Sequence, residues 1–194
     1  MEKIIGIFLS LRNKINTFLY KFSFKSFGKK SVLSFPFSVN GAKYMQLGKK
    51  VFVKPNAWFI VPDEKQKDTP LKLGSNIYIG RNAHFVALKS IQIMDDVLIA
   101  DNVFISDNYH GYEDIKTPIK DQDIKFNGAV VIGQQSWLGE NVCVLAASVG
   151  KHSIIGANSV VVSDIPDYCI AVGSPAKVIK RYDLEKEEWI KHNN

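Results

Sequence analysis

The chain has 194 residues, 46% of them hydrophobic and 23% charged, with a formal net charge of +6. That length suits one domain with a real core, and the ordinary apolar fraction excludes a disordered chain or a multi-span membrane protein. The basic residues are dispersed and no nucleic-acid motif appears, so a membrane face or a phosphate-bearing cosubstrate explains the excess charge better than nucleic acid.

Residues 1–40 form a basic, aromatic N-terminal segment. Ile4, Phe8, Leu11, Ile15, Phe18 and Phe22 are interleaved there with Lys3, Arg12, Lys14 and Lys21. The longest charge-free run, Ile4 to Leu11, is far short of the roughly 20 residues that span a bilayer. No small-residue cleavage site follows it, so a secretory signal is not expected. Two readings stay open: a helix packed on the body or a partner subunit, or an amphipathic segment lying on the inner membrane leaflet.

Residues 41–166 carry a six-residue beat. It runs through Leu47, Val53, Phe59; Leu73, Ile79, Phe85; Ile93, Ile99, Ile105; Ile132, Leu138, Val144; and Val149, Ile155, Val161. Glycine often follows the beat residue, as at Gly48, Gly74, Gly80, Gly133, Gly139 and Gly156. A helix wants apolar spacing near 3.6 and a strand wants 2, so a sustained six fits neither alone. It fits a short strand plus a corner, three times per coil of a parallel β-helix. The polar stretch Pro62 to Pro70 reads as a loop, and the step from Ile105 to Ile132 throws out a longer excursion over 107–127. Long excursions from a solenoid are usually functional.

Residues 167–194 form a tail, with a turn at Gly173-Ser174-Pro175-Ala176 and basic residues Lys177, Lys180 and Arg181. Asp183 is expected to cap a short C-terminal helix reaching about His192. Cys143 and Cys169 offer neither a disulfide framework nor metal-ligand spacing, and a reducing cytoplasm is the expected compartment.

His110 stands in Ser106-Asp107-Asn108-Tyr109-His110-Gly111-Tyr112, beside the largest break in the beat. The repeats, this excursion and the tail Gly173-Ser174-Pro175-Ala176-Lys177 together resemble the hexapeptide-repeat acetyltransferases of left-handed β-helix fold, over roughly residues 45–182. Val103 to Gly111 and Pro175 to Tyr182 resemble the branch that O-acetylates bacterial O-antigen and other surface polysaccharides.

The resemblance implies an all-β left-handed parallel β-helix and direct transfer from acetyl-CoA to a sugar hydroxyl, without a metal. It matches His110 to the general base; neutral imidazole accepts the proton of a hydroxyl too weakly acidic to attack unaided. It matches the backbone N–H of Glu140 to the donor that stabilises the tetrahedral oxyanion. Trp137 matches a position flanking the pantetheine arm, Ala157 a backbone contact to that arm, and Lys177, Lys180 and Arg181 the basic positions near the nucleotide. Asp107, Glu113 and Asp114, read as exposed loop carboxylates, are the candidates to orient the imidazole. Val162-Ser163 stands where many relatives carry Thr-Lys, which removes one expected cofactor contact. The family further implies a homotrimer with sites between neighbouring prisms and a polysaccharide or lipid-linked acceptor, and the basic, aromatic N-terminus favours an acceptor at the cytoplasmic face of the inner membrane. Two alternatives remain: N-acetylation of an amino sugar nucleotide, and a non-catalytic β-helix scaffold. The zinc-dependent carbonic anhydrases of the same fold are disfavoured, since no paired-histidine spacing surrounds His110.

Overall fold

The computed structural model describes residues 1–62 and 68–192. Part of the loop expected over Pro62 to Pro70 therefore lies outside the described residues. Helix α1 (Glu2–Lys21) precedes a three-faced parallel β-helix. The first face stacks Ser26–Phe27, Met45–Leu47, Leu71–Leu73, Ile91–Ile93 and Val130–Ile132. The second stacks Val32–Leu33, Phe52–Val53, Tyr78–Ile79, Leu98–Ile99, Trp137–Leu138, Ile154–Ile155 and Cys169–Val172. The third runs from Phe37–Asn40 through Ala57–Ile60, His84–Val86, Phe104–Ser106 and Cys143–Leu145 to Val160–Val161.

Every beat residue points into the prism. All fifteen are at most 4% exposed, and in-register parallel pairing stacks them into three columns. Ile79, Ile99 and Leu138 follow one another up the second face; Phe59 and Phe85 stack up the third with ring centroids 4.8 Å apart. The corners are made by residues that tolerate positive φ. Asn56, Asn82 and Asn102 all adopt it, and their amides hydrogen-bond from coil to coil. At Gly28, Gly48 and Gly74 a Cβ would fall into the backbone of the following coil, so only glycine permits the observed approach.

The prism is longer than the beat suggests at both ends. Its first coil begins at Ser26, inside the stretch assigned to the N-terminal segment, and Cys169–Val172 adds a strand beyond Pro166. Phe27, Leu33 and Val39 are themselves six apart and form that first coil. The expected C-terminal helix is absent. Lys177–Asp183 and Glu188–Lys191 instead extend the second face as antiparallel strands, with Tyr182 opposite Trp189. Asp183 does cap, but it caps a turn, accepting from the backbone N–H groups of Glu185 and Lys186. The charged Leu184–Glu188 segment has helical propensity, but Lys177–Asp183, itself paired on the edge of Cys169–Val172, offers Glu188–Lys191 a ladder that outweighs it.

The excursion leaves the corner between the third and first faces as a hairpin. Asn108–His110 pairs antiparallel with Ile124–Phe126, placing His110 opposite Ile124. Its root is held by Asp107, which is fully buried and accepts from the N–H groups of Leu88, Lys89 and Ser90 at 2.6–2.7 Å. Asp95 and Asp101, twelve and six residues earlier, bond the backbone of Ser75 and Arg81 in the same way at the other two corners. Farther out, Glu113 accepts from Lys125 at 2.7 Å, and this bond holds its carboxyl down from the ordinary 4.5 to about 2.

Two outcomes are expected. Ile99→Ala removes the middle of a packed column and lowers unfolding stability by about 2–5 kcal/mol in urea titrations. Because the folded pKa of Glu113 is depressed, its contribution to the hairpin is complete above about pH 4.5 and lost as pH falls through about 2. A carbon-detected carboxyl titration of Glu113 should find its midpoint near 2, moving up toward 4.5 in Lys125→Met.

Candidate active site

Two clusters of the expected site residues form, at different corners of the prism. The first is the turn from the second face to the third. There Trp137, Gly139-Glu140 and Gly156-Ala157 occupy successive coils, and Gly173 to Ala176 crosses the same corner one coil later, bonded to both backbone groups of Val160. The turns stack tightly: a Cβ on Gly139 would lie 2.7 Å from the Ala157 nitrogen. Glu140 and Ala157 are exposed, and among the described residues neither N–H donates a hydrogen bond. Trp137 stands 45% exposed beside this ridge. A row of free amides beside an aromatic wall can take an extended, amide-bearing chain.

Lys177, Lys180 and Arg181 are exposed on the strand that follows the ridge, rather than in an irregular tail. Lys177 is paired with Val172, Lys180 with Ile170 and Lys191, and Arg181 with Cys169 and Ile190. Strand pairing fixes where these three exposed cations sit on the sheet.

The second cluster surrounds His110. The imidazole is exposed, on a strand whose root is pinned by Asp107. None of the three carboxylates is spent on it. Asp107, expected to be exposed, is buried and bonds backbone; Glu113 is paired with Lys125; Asp114 accepts from Lys116 N–H and the Thr117 hydroxyl. The sequence reading therefore gave Asp107 the wrong surroundings. Its six-residue spacing from Asp95 and Asp101 was the available clue to a corner role.

The His110 corner and the Glu140 corner border opposite edges of the third face. A single chain thus does not bring His110 to Trp137, Glu140 and Ala157. Between the corners, the outer surface of that face carries an aromatic column the beat did not reveal. Trp58 and His84 stack with centroids 4.8 Å apart and planes 4° from parallel, and Phe104 follows at 5.2 Å. Burial lowers the His84 pKa, and its buried Nε2 finds no partner among the described residues. Trp58, His84 and Phe104 each immediately precede a beat residue, a regularity visible in the sequence. Among the described residues no group of three His, Cys, Asp or Glu is arranged to hold a metal ion.

No protein-family model matches the chain. It is 42% identical over 118 residues to a probable acetyltransferase, Rv3034c, of Mycobacterium tuberculosis, covering 60% of this chain and 39% of that protein. It is 40% identical over 123 residues to the putative lipopolysaccharide biosynthesis O-acetyl transferase WbbJ of Escherichia coli, covering 60% of this chain and 63% of that one. The chain thus spans less than two thirds of the length of these curated relatives. Among solved structures, the N-acyltransferase AntD of Bacillus cereus, in complex with dTDP and coenzyme A, superposes with a TM-score of 0.71 at 19% identity, covering 87% of this chain and 89% of that one. The hexapeptide-repeat acetyltransferase VCA0836 of Vibrio cholerae gives a TM-score of 0.58 at 21% identity over 88% of this chain and 81% of that one. At those identities the structural likeness speaks for the fold. The chain has the left-handed parallel β-helix of the hexapeptide-repeat acetyltransferases, and over about two thirds of its length it resembles curated acetyltransferases in sequence.

Proposed function

We propose that the protein is an O-acetyltransferase that moves an acetyl group from acetyl-CoA to a sugar hydroxyl of a bacterial surface polysaccharide or its precursor. The observation that carries the reading is the pair of half-sites on one fold: a pinned hairpin presenting His110, and a ridge with free Glu140 and Ala157 amides beside Trp137. The likeness to WbbJ supports an oxygen acceptor, and peripheral residence on the cytoplasmic face of the inner membrane belongs to the same reading.

In this mechanism the ridge amides, with Trp137, hold the pantetheine arm, while Lys177, Lys180 and Arg181 take the phosphates. His110 removes the acceptor hydroxyl proton as its oxygen bonds the thioester carbon. Negative charge collects on the carbonyl oxygen, where the Glu140 N–H donates. The C–S bond then breaks, the ester is left on the sugar, and the thiolate recovers a proton. Since the half-sites lie at different corners of one prism, the complete site joins the His110 hairpin of one copy to the ridge of another. A cyclic homotrimer closes three such contacts.

A second reading is acylation of an amino sugar nucleotide. It is favoured by the structural likeness to AntD, crystallised with dTDP-4-amino-4,6-dideoxyglucose. Mass spectrometry of products from matched hydroxy- and amino-sugar acceptors separates the two. Exclusive acetylation of the amine would transfer the proposal to this second reading.

His110→Ala is expected to lower kcat/KM by about 10²–10⁴-fold with an unchanged melting temperature, and near-normal turnover would remove the general-base role. Glu140→Ala keeps its N–H and should stay active, whereas Glu140→Pro deletes the donor and should lose about 10²–10³-fold in kcat. Co-expressed in equal amounts, His110→Ala and Glu140→Pro chains should recover about a quarter of wild-type activity by random mixing in a ring. No recovery would mean that both half-sites come from one chain.

A further inference from the structure

Helix α1 is mounted with its apolar side outward. Its polar side chains face the prism: Asn16 donates to the Leu33 carbonyl at 2.8 Å, Thr17 accepts from Leu33 N–H at 2.9 Å, and Asn13 accepts from Phe35 N–H at 3.1 Å. Tyr20 donates to the Phe37 carbonyl at 3.2 Å. These bonds satisfy the open edge of the first coil, where no preceding strand exists to pair with it. The helix therefore spends its polar face on the body, which leaves the opposite face without a partner.

That face is a continuous apolar stripe. Ile4, Phe8, Leu11, Ile15 and Phe18, continued by Phe22 at the C-cap, follow a four-three spacing along one side, and each is more than half exposed. Lysines border it: Lys3, Lys14 and Lys21 lie on one flank, with the Lys21 ammonium 4.5 Å from the Phe18 ring centroid. Arg12 lies on the other flank, donating to the Phe35 carbonyl. The first coils continue this charge, since residues 3–62 contain eleven Lys and Arg and no Asp or Glu, in a chain whose net charge is only +6.

Two occupants suit an apolar stripe, and charge decides between them. A second copy of α1 would bring Lys3, Arg12, Lys14 and Lys21 against their like, with Glu2 the one acid in the helix to set against four cations. An anionic lipid surface would neutralise the same flanks while its acyl region takes the stripe. No helix among the described residues is long and apolar enough to cross a membrane. We propose that α1 lies in the plane of an anionic bilayer, at the boundary of headgroups and acyl chains, with the open first coil of the prism turned toward the membrane. This gives the membrane residence considered above a defined surface and orientation, and it stands whether or not the acetyl-transfer reading holds.

The test is flotation of the full chain with phosphatidylcholine vesicles, with and without phosphatidylglycerol. The chain should float with the anionic vesicles, and its partitioning should fall at least about tenfold with neutral vesicles or in about 1 M salt, where the Debye length shrinks to about 3 Å. Phe8→Ser/Ile15→Ser should lose at least about tenfold and Lys14→Gln about fivefold, with unchanged circular dichroism and melting. The altered side chains are exposed, so folding is not at stake. Failure to float, equal flotation with neutral vesicles, or undiminished flotation of the double variant would each overturn the proposal. So would a chain that stays with the soluble fraction and whose light-scattering mass drops on Phe8→Ser/Ile15→Ser; the stripe would then be a contact between copies. Acetyl-transfer activity is not read in any arm, so failure here leaves the catalytic reading untouched.

Discussion

Every coil must land on the one below it in register, and this single constraint shapes the molecule. A slip of one residue would turn the inward columns outward and bury the polar residues beside them. The chain obeys by placing Ile, Leu, Val or Phe at each sixth position and residues that accept positive φ at the corners. Close approach at Gly28, Gly48 and Gly74 then brings successive coils into backbone contact. Once the stack is fixed, whatever departs from it is free of packing duty. The hairpin that carries His110 is such a departure.

Most of the fold was legible because the inward columns are a one-dimensional signal. Each beat residue predicts its own burial without knowledge of its neighbours. The ends were less legible for a physical reason: an end coil lacks a neighbour on one side. Phe27, Leu33 and Val39 keep the spacing but follow directly on an aromatic, basic stretch whose first part is a helix. At the other end, Leu184 to Trp189 looks helical when considered alone. Only the three-dimensional edge of Lys177–Asp183, itself laid on Cys169–Val172, makes an antiparallel strand the better outcome.

The site divides in the same way. His110 could be found because the beat stops beside it. The environment of Asp107 could not be read from its loop, since its partners Leu88, Lys89 and Ser90 belong to the preceding coil and lie more than fifteen residues away. The separation of His110 from Glu140 is likewise a matter of which corner each occupies. Spacing of six says that both are near corners; counting strands around the prism assigns them to different ones. The outward column of Trp58, His84 and Phe104 runs between those two corners.

The way Asp107 is held bears on how such a molecule can diversify. Its carboxylate is tied to the backbone of the coil beneath, and chain geometry is restored at Val130–Ile132 before the next face begins. Between those two anchors the polypeptide is a replaceable cassette. Segments of other lengths or sequences can be spliced in there without disturbing a single inward column. The excursion can thus drift between lineages while the scaffold that stores most of the folding energy stays the same.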